Sequence, residues 1–226
     1  MKTRLATVLL AGAASLVLMS ACSTPADTVE TAARPAAATT QAPVLQAEIP
    51  KGQLPTGVRP TAYRLDLVTD PNAATFTGHE EIDLHLDQPH SRIWLHALGP
   101  VVSSIKAVLP DGMEIGATFT GDQTPDGVAR IDFDAPLPAG TATIVVDYEA
   151  PYNLHLAGLY KVEQGGLPYL VTQFEDIDAR RMFISFDEPR FKTPYTVTVT
   201  APADMEVTAN GAETGAEDLG DGTVRH

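Results

Sequence analysis

Apolar and polar residues alternate along much of the chain beyond residue 49. Residues 63–67, 81–87 and 130–134 follow this pattern, and residues 141–148 and 195–200 are rich in β-branched side chains. A period of two is typical of a strand with one buried face, and β-branched residues pack well on a pleated surface. No stretch beyond residue 49 keeps a helical period over three turns. The pattern therefore predicts a domain built from β-strands.

Glycine-containing turn sequences separate the predicted strands. They are Asp111-Gly112, Asp126-Gly127, Gly165-Gly166, Asn210-Gly211 and Asp221-Gly222. Such pairs supply the positive φ angles that tight hairpins need. We therefore predict an all-β fold over residues 50–226, either an antiparallel β-sandwich or a curved sheet. Only 19% of residues are charged, against 17 Gly and 18 Pro, and this balance disfavours a coiled coil or helical bundle.

The first 22 residues have the pattern of a bacterial lipoprotein signal. Lys2 and Arg4 precede an uncharged run over residues 5–18, which is shorter than the roughly 20 residues of a spanning helix but suits a secretory signal. Small residues then lead into Cys22, the only Cys of the chain. We expect cleavage after residue 21, lipid attachment at Cys22, and export to a bacterial membrane with the protein facing the periplasm. An ordinary secretory signal that contains a Cys by chance is the alternative.

Composition separates the rest of the chain into two parts. Residues 22–49 are rich in Ala, Thr and Pro without periodicity, which predicts a disordered tether. The chain ends as a new strand begins at residues 223–226, so we expect the β-domain of residues 50–226 to be incomplete at its C-terminus.

A net charge of -14 argues against a nucleic-acid partner, because phosphate binding needs a basic surface.

Residues 79–83 begin like the zinc signature HExxH, but Asp83 stands where the second His belongs. On a strand, residues four apart lie about 13 Å from each other, which is too far to share one zinc ion. We therefore expect no metal ligands in this chain and a polar strand edge at these residues. His85 and His96 alternate with apolar neighbours and are expected to face solvent, whereas Trp94 is expected in the core.

Charged and aromatic residues are densely mixed over residues 172–192, whose sequence is TQFEDIDARRMFISFDEPRFK. Composition alone leaves two interpretations open. The segment is either a buried ion-pair network beneath a functional loop or a well-solvated loop.

This segment, followed by the strand at 195–200, resembles the N-terminal domain of the aminopeptidase N family of zinc metallopeptidases. Shorter similarities lie at residues 54–65, 76–82, 158–160 and 223–226, so that the resemblance covers residues 50–226. One departure is Ile184-Ser185, where Pro-Cys is common in the family. We expect only local packing to differ there.

The resemblance implies an N-terminal β-domain, followed in the full-length enzyme by a catalytic domain that holds zinc and removes single residues from peptide N-termini. By the motif match, Glu175 corresponds to the residue that holds the substrate α-amine, and Gln173 to a neighbour that lines the pocket for the first side chain. Strand alternation is expected to place both on one face. We expect Asp178, Arg180 and nearby charged residues to pair structurally, and the chain by itself to be inactive.

Two alternatives remain beside a secreted aminopeptidase that acts on peptides with a free N-terminus. One is a non-catalytic β-sandwich lipoprotein that binds peptide or sugar. The other is a degenerate homologue that has lost its zinc ligands. The reading frame beyond His226 distinguishes these three interpretations, because only the active aminopeptidase requires HExxH downstream.

Overall fold

The computed structural model describes residues 48–226, which belong to one compact unit. The predicted signal peptide, Cys22 and nearly all of the predicted tether lie outside the described residues. No helix in the described part of the chain is long and apolar enough to cross a membrane. The strands are β1 (Val58–Val68), β2 (Thr75–Leu86), β3 (His90–His96), β4 (Val101–Val108), β5 (Glu114–Thr120), β6 (Val128–Leu137), β7 (Gly140–Pro151), β8 (Gly158–Gln164), β9 (Leu167–Gln173), β10 (Tyr195–Pro202), β11 (Glu217–Asp218) and β12 (Thr223–Arg225).

Ten of these strands form one hydrogen-bonded sheet in the order β11-β12-β10-β1-β2-β7-β4-β5-β6-β3, and β8 and β9 form a separate hairpin. Neighbouring strands are antiparallel except for β1 and β10, which pair in parallel from Tyr63 opposite Tyr195 to Val68 opposite Thr200. The antiparallel prediction thus holds for most pairs. The parallel pair joins a strand near the start of the domain to one near its end.

The long sheet turns back on itself at β5. Residues 114–116 of β5 pair with β4, whereas residues 117–120 pair with β6. Ile93 and Ile131, on β3 and β6, share one apolar core with Ile82 and Ile144 on β2 and β7. The two halves of the sheet therefore pack as a sandwich, which confirms the predicted fold class.

Alternation along β2 determines which of its side chains point into this core. On β2 the inward positions are Phe76, Gly78, Glu80, Ile82, Leu84 and Leu86. Burial of each large aliphatic side chain contributes about 1.5–3 kcal/mol to folding. Gly78 is required because Tyr148 of β7 lies directly across it, and a Cβ at this position would overlap the Tyr148 ring.

Candidate functional site

The segment singled out by its motif runs from the end of β9 to the start of β10 and contains one short 3₁₀ turn, Ala179–Arg181. Gln173 is the last residue of β9, and Glu175 lies in the turn that follows; both side chains are exposed. The Glu175–Asp176 peptide bond is cis. The backbone N–H of Glu175 donates a hydrogen bond of 3.1 Å to Gln173 Oε1. The structure therefore brings the two predicted substrate-binding residues together.

The expectation that Gln173 and Glu175 share one strand face is wrong. The strand ends at Gln173, and the Asp178 N–H donates to the Phe174 carbonyl at 3.0 Å, which closes a turn. Once the backbone turns, a period of two no longer describes where side chains point. The side-chain hydrogen bond of Gln173, rather than strand alternation, links the two residues.

The turn carries three acidic residues in different electrostatic settings. Asp178 pairs with Arg181 at 2.6 Å. Glu175 and Asp176 are exposed, and neither forms an ion pair with any residue in the range 48–226. The turn thus presents two negative charges that can meet a cation from outside this part of the chain.

A buried arginine holds the turn in place from behind. Arg180 is 4% exposed and donates from Nε to Asp187 at 2.8 Å. Its Nη1 donates to the Asp126 carbonyl at 2.6 Å, and its Nη2 donates to the Asp187 carbonyl at 3.0 Å. These contacts, with the Asp178–Arg181 pair, confirm that the charged residues of the motif pair structurally. Of the two interpretations of the segment, the buried network beneath a loop is the one observed.

A second set of contacts joins the end of the motif to the segment before β1. The Leu54 N–H donates to Glu188 Oε1, and Arg190 Nη2 donates to the Leu54 carbonyl at 2.8 Å. Glu188 and Arg190 also pair with each other. The motif is therefore fixed at both ends, by β9 at its start and by the chain around Leu54 at its finish.

Aromatic side chains fill the space between the motif and the sheet. Phe174 meets Phe183 edge to face with ring centroids 6.0 Å apart, and Tyr63 of β1 stacks on Tyr195 at 4.6 Å. The Phe186 N–H donates to the Tyr63 hydroxyl at 3.0 Å. Burial raises the pKa of Tyr63 well above its usual range and that of Tyr195 to about 12.

The histidines form no metal centre, and one of them was misplaced by the sequence pattern. Residues 79–83 lie on β2, between β1 and β7, and the polar side chains of His79, Glu81 and Asp83 lie on its more exposed face. His96 is 3% exposed, which contradicts the expectation that it faces solvent, whereas Trp94 at 3% confirms its core position. Within residues 48–226 no three His, Cys, Asp or Glu side chains are arranged to hold a metal ion.

Sequence reasoning missed Glu80 as a member of this region. Its side chain is completely buried, and Oε2 accepts a hydrogen bond of 3.1 Å from the Ile184 N–H inside the motif. The signal was present in the sequence, since Glu80 has the same parity as the inward residues Ile82 and Leu84. A carboxyl group at an inward position of a strand indicates a specific buried contact.

Together these features define an all-β domain that presents an acidic turn and has no metal-binding group of side chains among its described residues. Residues 59–226 match the family model of the Peptidase M1 N-terminal domain. The chain belongs to this family, as the residues of its central motif predicted.

Curated relatives are aminopeptidases. Aminopeptidase N of Acetobacter pasteurianus is 34% identical over 155 residues, which cover 66% of this chain and 42% of the relative. Aminopeptidase 2 of Candida albicans is 31% identical over 157 residues, which cover 66% of this chain and 16% of the relative. The chain thus spans less than half the length of these relatives.

Solved structures agree on the fold. An M1 zinc metallopeptidase of Deinococcus radiodurans, solved with a bound Tyr-Ser-Ala substrate, superimposes with a TM-score of 0.60 at 24% identity. The match covers 76% of this chain and 39% of that one. At this level of identity the likeness shows the fold, and the fold is the one assigned above.

Proposed function

We propose that this chain is the N-terminal part of a secreted, membrane-anchored zinc aminopeptidase that removes N-terminal residues from peptides. In that enzyme this chain contributes recognition of the substrate α-amine by Glu175. Gln173 lines the adjoining pocket for the first side chain of the substrate. Membership of the M1 family and the aminopeptidase relatives support this proposal. The described residues do not fit a zinc site, so zinc chemistry belongs to another part of the full-length enzyme.

The observation that carries the proposal is a free carboxylate on a firmly held turn. Glu175 has no cationic partner among the described residues, while Arg180 and Asp187 anchor the turn from below. A peptide N-terminus titrates near pH 8 and is largely an ammonium ion at neutral pH. An ammonium and a carboxylate about 4 Å apart attract by about 1 kcal/mol in bulk water and by about 4 kcal/mol in a partly screened site.

This contact would register the end of a peptide chain, because an internal peptide bond carries no ammonium. A group that binds only the free terminus favours removal of terminal residues over cleavage within the chain. The attraction grows when water is excluded, so the role requires that another part of the enzyme covers the turn.

Charge alone does not distinguish Glu175 from its neighbour Asp176. Both are exposed and unpaired within the described range. The motif match selects Glu175, and the Gln173 side chain fixes the backbone N–H of that residue. Asp176 has no such bond and serves as a matched control with the same charge.

The experiment uses the full-length enzyme with Glu175→Ala and Asp176→Ala, assayed on amino-acid anilides. Loss of the amine contact should raise KM by roughly tenfold or more for Glu175→Ala, since a charge-assisted hydrogen bond is worth about 1.5–3 kcal/mol. Asp176→Ala should change KM less than about twofold, as expected for an exposed charge that makes no specific contact with the substrate. Equal and small effects on kcat/KM would refute the assigned role.

Export and anchoring are proposed from the signal at residues 1–21 and from Cys22. Replacement of Cys22 by Ser removes the thiol that would carry lipid. The variant should shift from the membrane fraction to the soluble periplasmic fraction, and metabolic labelling with a radioactive fatty acid should no longer mark it. Retention of label in the variant would exclude Cys22 as the attachment site.

A further inference from the structure

Glu80 is a fully buried carboxyl group at the centre of β2, the strand between β1 and β7. One of its oxygens, Oε2, accepts the hydrogen bond from the Ile184 N–H at 3.1 Å. The other, Oε1, has no partner among residues 48–226. A carboxylate accepts up to four hydrogen bonds, so this group is far from satisfied as an anion.

The neighbours of Glu80 do not supply a positive charge. Tyr63 on β1, Tyr148 on β7 and Tyr195 on β10 lie close enough to interact with it electrostatically. All three hydroxyls are neutral below about pH 10. No cation in the described part of the chain forms an ion pair with Glu80. Burial raises the pKa of Glu80 well above its usual range.

Ile184, the partner of Glu80, ends a short compact segment that begins at Phe174. The Phe183 ring packs on the Phe174 ring, and the Phe183 N–H donates to the Ala179 carbonyl at 3.2 Å. The Asp178 N–H returns to the Phe174 carbonyl at 3.0 Å. Glu175 lies inside this segment, so a displacement at Ile184 reaches Glu175 through Phe183 and Phe174.

The bond to Glu80 depends on the residue type at position 184. Ile184 has a backbone N–H, which a Pro at this position would lack. In this chain that N–H is a donor, and Glu80 is its acceptor.

We propose that Glu80 is a positioning residue for Glu175: its buried carboxyl group fixes the Ile184 end of the segment that carries the amine-binding turn. This inference rests on the role proposed above for Glu175. Glu80 does not touch substrate, and it acts through the backbone of Ile184.

The first test is a double-mutant cycle in the full-length enzyme, with KM for an amino-acid anilide as the readout. Glu80→Ala leaves the Ile184 N–H without an acceptor and should raise KM by about tenfold in the wild-type background. In the Glu175→Ala background the same change should raise KM less than about twofold, because coupled residues are not additive. Glu80→Gln keeps an acceptor oxygen and should restore the wild-type KM. Glu149→Ala, on the exposed face of the same sheet, is the matched control.

The outcomes separate this inference from the function on which it rests. If Glu175→Ala leaves KM unchanged, the amine-binding role fails and the positioning role fails with it. If Glu175→Ala raises KM but Glu80→Ala multiplies KM equally in both backgrounds, only the positioning role is refuted. Should Glu80→Ala fail to fold, Ile184→Pro removes the donor instead, and an unchanged KM in that variant refutes the positioning role.

The second test measures hydrogen exchange of the segment 174–184 by mass spectrometry as pH rises, after correction for intrinsic exchange. An acid with a raised pKa binds its proton more tightly in the folded state, so its ionisation opposes folding increasingly as pH rises from about 4.3 toward the folded pKa. Protection of the segment should fall with rising pH in the wild type but remain in Glu80→Gln. The same decline in both proteins would show that the Glu80 carboxyl group does not anchor the segment.

Discussion

His96 is a histidine that burial keeps neutral. Its side chain is 3% exposed, and its Nδ1 has no hydrogen-bond partner among the described residues. Burial, with a smaller contribution from the nearby Arg180 charge, lowers the pKa of His96 to about 3. A protonated His96 ring would lie near the positive charge of Arg180. The stability of the domain therefore depends on pH through His96.

His96 makes the folded domain less stable as pH falls. Below about pH 6.5 the unfolded chain takes up a proton at this residue, whereas the folded domain does so only near pH 3. Stability is therefore lost as pH falls through this window, with a slope approaching about 1.4 kcal/mol per pH unit. His96→Gln should flatten the pH dependence of the free energy of unfolding, measured with urea between roughly pH 4 and 7. Parallel curves for the two proteins would contradict this account.

Single positions differ in how well their surroundings could be predicted from sequence. Trp94 was placed correctly because a large aromatic in an apolar run is buried wherever the strand lies. His96 was misplaced because its backbone pairs with Ser185, far along the chain, and the motif covers this end of β3. The inward position of Glu80 could be predicted from alternation along β2, but its partner Ile184 could not, because it lies 104 residues further along the chain.

At the scale of elements, Arg180 ties the 3₁₀ turn to the connection between β5 and β6 through the Asp126 carbonyl. Arg181, the next residue, is more exposed, and its ion pair among residues 48–226 is with Asp178. The two arginines therefore differ in burial although they adjoin in sequence. Arg180 joins the 3₁₀ turn to the β5–β6 connection, and Arg181 closes a local turn with Asp178.

Removal of the buried arginine should cost much more than removal of the exposed one. Arg180→Ala leaves the Asp187 carboxylate without its partner, and such a loss typically destabilises by about 3–5 kcal/mol. Arg181→Ala breaks a partly exposed pair and should cost less than about 1 kcal/mol. Urea unfolding of both variants beside the wild type measures the difference. Comparable losses would show that the network around Arg180 contributes little to the fold.

Strands were more predictable than the connections between them. Alternation and β-branched runs are local features of the sequence, so β1, β2 and β6 overlap the alternating stretches, and β7 and β10 overlap the β-branched ones. The end of β9 at Gln173 was not visible, because it depends on the hydrogen bond from Asp178 to Phe174 and on the packing of Phe174. The first is a local turn and the second a side-chain packing contact, and alternation along the strand encodes neither.

At the scale of the whole molecule, β10 joins the beginning of the domain to its end. Its residues 195–200 pair with residues 63–68 of β1, and the Tyr195 ring stacks on Tyr63. Thr200 and Ala201 of β10 are buried as well. Parallel pairing of such distant segments was not predictable from the strand pattern, which is the same for parallel and antiparallel partners when one face is exposed.

The contribution of β10 can be tested by shortening the chain. A chain that stops after Pro194 lacks β10 and exposes the edge of β1, so it should lose a cooperative thermal transition and aggregate. A chain that stops after Asn210 keeps β10 and loses only β11 and β12, which are two and three residues long. This control should still melt cooperatively. Identical melting of both shortened chains would show that β10 is dispensable.

The parallel pair also sets an order of events during synthesis. When β1 leaves the ribosome, more than half of the chain has yet to be translated before its partner β10 emerges. The hairpin-linked strands in between can pair first, since closing short loops costs less entropy than closing long ones. The place beside β1 therefore stays unfilled in a nascent chain until β10 has emerged.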